Sequence, residues 1–79
     1  MTATEALKTI KAAIEGAPRN GYVAELHLQV IKYAEVLQNV SRKEFCEALG
    51  IGDSFGTEFM KMKKIAGRLR AANLDPSKI

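Results

Sequence analysis

Apolar residues recur three and four apart along almost the whole chain, and nowhere do they alternate with polar ones over the length of a strand. A spacing near 3.6 residues gives a helix one face to bury, so this pattern confines the chain to helices packed on helices. Leu7, Ile10 and Ile14 share one face of a first helix, expected to start at a Thr4 cap and to end near Glu15, ahead of Gly16. Ala17-Pro18-Arg19-Asn20-Gly21 has turn chemistry, since Pro fixes one dihedral and Gly permits positive φ. A second helix is predicted from Tyr22 to Gln38. Its stripe of Val23, Leu26, Val30, Tyr33 and Leu37 is widened by Ile31 and Ala34, which places it centrally. Leu28 lies in its polar strip, where internal packing does not explain it and a partner surface would.

Ser41-Arg42-Lys43-Glu44 matches a capping box, so a third helix is predicted to start at Arg42, to bury Phe45, Cys46 and Leu49, and to stop at Gly50. The fourth helix is predicted to begin at Asp53 or Ser54 and to continue to about Ala72. Phe55, Phe59, Met62, Ile65, Ala66 and Leu69 form its inner side. Asn73 and Pro76 close it, and Asp75 to Ile79 is expected to be a partly ordered end. The fold expected is all-α, a compact bundle of four helices without a β wing, forming one domain over residues 1–79.

A chain of 79 residues has too little interior for two cores, and one small core usually needs a staple. Cys46 is the only cysteine and His27 the only histidine, which excludes an internal disulfide and leaves no zinc set; no cofactor is expected. A second copy of the chain is the natural source of extra burial, which predicts a homodimer through helix 2 and its neighbouring apolar surface. No apolar run approaches the roughly 20 residues that span a bilayer, and the N-terminus lacks the layout of a signal peptide. The expected location is cytoplasmic, with no membrane partner.

Catalysis finds little support in the residues. A Cys46 nucleophile would need a histidine placed by the fold, and a small core residue explains it better. His27 sits at the edge of an apolar stripe, as a packed or surface histidine does. Gly50-x-Gly52 with Gly56 fails as a phosphate loop, because no strand precedes it and no Gly-Lys-Ser/Thr follows. Glu44, Glu47 and Glu58 carry no sign of burial. The chain is expected not to be an enzyme.

Charge is distributed unevenly. Residues 1–40 carry Lys8, Lys11, Arg19 and Lys32 against Glu5, Glu15, Glu25 and Glu35, so the net charge of +3 belongs to the second half. Lys61, Lys63, Lys64, Arg68 and Arg70 fall between Phe59 and Asn73 with no acid among them, either as a solvated face or as an attractor for a polyanion. With the apolar stripe turned inward, the opposite face presents Thr57, Met60, Lys61, Lys64, Gly67, Arg68 and Ala71. Its small members would let the helix approach another surface closely.

A short capped helix, a Gly-containing turn and a longer basic helix follow one another in SRKEFCEALGIGDSFGTEFMKMKKIAGRL. This segment resembles the helix-turn-helix family of transcription factors, with the motif spanning approximately residues 41–72. Cys46 takes the family's small crossing position, Leu49 and Ile51 flank the turn Gly50, Asp53 or Ser54 is the usual cap, and Phe59 seats the recognition helix. Gly56 stands where the family usually has an aliphatic residue, a contact that Phe55 would supply. The resemblance implies sequence-specific double-stranded DNA binding by a regulator of bacterial or phage type. Thr57 and Lys61 would meet base edges, Lys64 and Arg68 the duplex along the same face, and Ser54 the helix start. Arg42 and Lys43, at the start of the preceding helix, would touch the sugar-phosphate backbone. Two other readings stay open: a protein-interaction module or adaptor docking through helices 1 and 2 and Leu28, and non-specific RNA binding, which the scarcity of aromatics disfavours.

Overall fold

Two reciprocal caps set the helix starts. Thr2 accepts from the Glu5 amide while Glu5 accepts from the Thr2 amide, at 3.1 and 3.0 Å. Ser41 and Glu44 repeat the arrangement at 3.1 and 3.3 Å. The computed structural model describes residues 1–79, and it contains helices α1 (Ala3–Glu15), α2 (Tyr22–Tyr33), α3 (Arg42–Leu49) and α4 (Phe55–Ala71) and no strand. The cap of α1 is therefore Thr2 and not the expected Thr4. A box needs an acid three residues on; Thr2 has Glu5 there, and Thr4 has Leu7.

Left-handed residues close α3 and α4. Gly50, at φ 68°, lets the Ile51 amide donate to the Cys46 carbonyl and its own amide to that of Glu47, which satisfies the last turn of α3. Asn73, at φ 71°, does the same for α4, with the Leu74 amide on the Leu69 carbonyl. Beyond it, Asp75 caps a 3-10 turn over Pro76–Lys78 that packs against α2, so the expected loose tail is a folded segment.

Helix α2 is shorter than its periodicity predicts. After Tyr33 the hydrogen bonds tighten to three-residue turns, Leu37 to Ala34, Gln38 to Glu35 and Val40 to Leu37. The tightening brings both Leu37 and Val40 into the core, and the side-chain pattern continues through it.

The core joins Ala6, Ile10 and Ile14 of α1, Leu26 and Val30 of α2, Leu37 and Val40, Phe45, Cys46 and Leu49 of α3, and Phe59 of α4. Phe45 and Phe59 stack with ring centroids 4.1 Å apart, which fixes α3 on α4. Gly56 is buried because the Arg42 side chain lies over it: a Cβ there would come within 3.0 Å of Arg42 Cβ and 3.2 Å of Cδ. The neighbouring Phe55 turns instead toward Tyr22, edge to face at 6.1 Å. Ile65, expected on the inner face, is 43% exposed; Phe59, Ala66 and the half-buried Met62 form the stripe without it. No helix is long and apolar enough to cross a membrane.

Candidate nucleic-acid interface

Packing Phe59 and Ala66 inward fixes what α4 shows outward. Thr57, Lys61, Lys64 and Arg68 are separated by four, three and four residues, the repeat of a single helix face, and all of them are exposed. Ser54 already has helical dihedrals (φ −59°, ψ −27°), so it continues this face by one turn. Its hydroxyl makes no cap bond, contrary to expectation, because the turn Gly52–Phe55 leads straight into the helix through Phe55-to-Gly52 and Gly56-to-Asp53 backbone bonds.

The run of five cations divides in two. Lys63 turns back into the fold: its Nζ donates to the Leu37, Gln38 and Val40 carbonyls at 3.3 Å each and lies 4.6 Å over the Phe59 ring. The Leu37 carbonyl also accepts from the Val40 amide, whereas those of Gln38 and Val40 lie where the tightened end of α2 gives them no helical partner. Burial holds the Lys63 ammonium below the ordinary lysine value of 10.5. Arg70 pairs with Glu35. Lys61 stands 3.9 Å from Glu58 and remains largely in solvent, while Lys64 and Arg68 enter no ion pair. The helical period carries the signal that separates these roles, since Lys63 and Arg70 fall on the Phe59 side of α4.

Glu58 shapes the edge of this face. Its carboxylate comes within 3.3 Å of His27 Nε2, joining α2 to α4; the contact is close but lacks hydrogen-bond geometry. His27 is thus a half-buried packing residue, as its place at the edge of the apolar stripe suggested, but its closeness to Glu58 was not marked by sequence alone. Arg42 and Lys43 occupy the first turn of α3, both exposed. The Arg42 stem is held against the start of α4 by Gly56, whereas Lys43 borders a recess with Glu47 and Asp53, whose negative charge offsets it. Cations in the first turn of a helix oppose its dipole. Their presence there is unfavourable for α3 itself and suits an anion lying just beyond the helix start.

A short helix crossed over a longer one, with the Gly50 turn between them and the outer face of the second left bare, is helix-turn-helix geometry. A family model described as an HTH-like domain matches residues 2–72. The chain belongs to that family. The match of the HTH-like domain extends over α1 and α2 as well as the motif, so the whole four-helix unit carries the relationship. HTH-like domains point to DNA binding and are typically non-enzymatic. No curated protein and no solved structure matches the chain.

Proposed function

We propose that this HTH-like protein binds double-stranded DNA sequence-specifically as a small cytoplasmic transcription regulator of bacterial or phage type, with α4 in the major groove. The observation that carries the reading is the division of the α4 cations. Lys63 and Arg70 serve the fold, while Lys64 and Arg68 stay unpaired on one exposed stripe with Thr57 and Lys61. Thr57 and Lys61, nearest the helix start, meet base edges; Ser54, Lys64 and Arg68 flank them; Arg42 and Lys43 hold the backbone. A homodimer through α2 presents two such helices to a palindromic site. A mobility shift with duplex DNA across a salt series tests this, since tight binding that falls steeply with salt supports it and no binding at low salt removes it.

The second reading is docking to an acidic protein surface. Ile65 and Met60, 43% and 39% exposed, flank the cationic stripe, and Leu28 is 47% exposed on α2. Apolar side chains beside cations suit a protein partner, and absence of duplex binding at low salt would favour it.

A further inference from the structure

Helix α2 keeps one strip at the surface. Glu25, Leu28 and Lys32 follow one another by three and four residues, so they stand in line on a single helix face. Leu28, in the middle, is 47% exposed, and Ala24 beside it is small and exposed. The neighbouring charges are answered inside the fold, His27 by Glu58 and Glu35 by Arg70. Those of Glu25 and Lys32, both half-buried, are not. One Glu25 oxygen accepts from Gln29 Nε2 at 2.7 Å, which leaves the other without a bond; Lys32 lies 5.5 Å over the Tyr33 ring and meets no carboxylate. The strip therefore reads acid, leucine, base, and its two charges stand about 10 Å apart along the helix, too far to pair with each other.

Such a strip is complementary to itself in one direction only. Two copies laid antiparallel about a two-fold axis midway between Glu25 and Lys32 set each Glu25 opposite Lys32 of the second copy, twice by symmetry. The axis then passes between positions 28 and 29, so the two Leu28 side chains meet beside it, about 1.5 Å apart along the helix direction. A parallel pair would set acid on acid and base on base, which costs free energy at both ends of the strip. We propose that α2 pairs with α2 of a second copy in this antiparallel register, with Leu28 against Leu28 at the axis and two reciprocal Glu25–Lys32 pairs outside it. Burial of Leu28 supplies attraction, while the ion pairs, each weak at a surface, choose direction and register. This register rests on the homodimer reading and is independent of DNA binding.

Sedimentation of the full chain without DNA, at low salt and from micromolar to millimolar concentration, tests the register. Glu25→Lys and Lys32→Glu each turn both cross-pairs into like-charge contacts, and each is expected to raise the dimer Kd by about tenfold or more. Mixed in equal amounts, the two single variants are expected to associate about as tightly as the wild type, because one carries only bases at these positions and the other only acids. The double variant, Glu25→Lys with Lys32→Glu, reverses the pairs and is expected to dimerise like the wild type. A lost helix-dipole contact at either end weakens the single chain and is not repaired by mixing. Both single variants also keep a net positive charge, so general attraction between them does not imitate the result. Circular dichroism checks that all variants keep the helices. A wild type that dimerises, with single variants that pair equally well or that fail to associate when mixed, overturns the register and leaves the homodimer reading standing. A wild type that is monomeric throughout overturns both and leaves the strip to a different protein, while the mobility shift decides duplex binding separately.

Discussion

Gly56 and Gly67 sit on the same helix and answer to different demands. A methyl at Gly56 meets Arg42 Cβ at 3.0 Å, whereas one at Gly67 meets nothing within 4 Å. Gly67→Ala is expected to raise stability by about 1 kcal/mol through helix propensity. Gly56→Ala is expected to lose about 1 kcal/mol or more, because overpacking outweighs the same gain. Thermal or urea unfolding of the pair reads the contrast. The cations divide in the same manner. Lys63→Met strips donors from three carbonyls and should cost about 1–3 kcal/mol, with duplex affinity unchanged once the variant is folded. Lys64→Ala and Arg68→Ala should change stability by less than about 0.5 kcal/mol. Each should weaken binding to all duplexes alike and flatten the salt slope by about one unit. A stability loss at Lys64 or an affinity loss at Lys63 would contradict the division. Sequence composition counted these cations as one group, since charge alone does not tell a side chain that reaches solvent from one that returns to carbonyls.

Helices α1 and α3 begin where their capping boxes dictate, and the box of α1 titrates. The bonds from Thr2 hold the Glu5 carboxyl below its ordinary value of 4.5. A lowered folded-state pKa means that the unfolded chain binds the proton first, so the cap's contribution is complete above the ordinary value and fades as the pH falls through the folded one. Glu5→Gln retains a box-forming side chain without the charge. Its melting temperature is expected to fall less steeply than the wild type's on the acid side; equal slopes would show that the box is not the titrating element. At α3 two effects oppose each other: Lys43→Gln removes a cation that opposes the helix dipole and also its attraction to Glu47 and Asp53, so stability should change by less than about 0.5 kcal/mol while duplex binding weakens. The four helices and the Gly50 stop were legible because caps and period are local. The end of α2 was not, since residues 34–40 keep the apolar spacing while changing their hydrogen bonds from four-residue to three-residue steps. Ile65 was misplaced for a related reason: apolar character marks the inner face only until the helix turns past its neighbours.

The arrangement of whole helices decides what the molecule can meet. One face of α4 is left to solvent, α2 carries Leu28 and Val23 outward, and the tail folds back on α2. If copies pair through α2, sedimentation at micromolar concentration should give twice the chain mass, and Leu28→Asp should return a monomer with unchanged helicity and weaker duplex binding; a wild type that stays monomeric removes the dimer. How α2 and α4 cross was beyond the reach of a single sequence, because His27 with Glu58 and Glu35 with Arg70 are neighbours only in space. The same holds for Arg42 and Gly56, and here the closeness reaches past one molecule. Two positions that share so little room are not free to drift separately during evolution. A relative that acquires a side chain at position 56 must shrink position 42 or let the two helices part by a few tenths of an ångström. Substitutions at these sites should therefore appear as a correlated pair across the lineage.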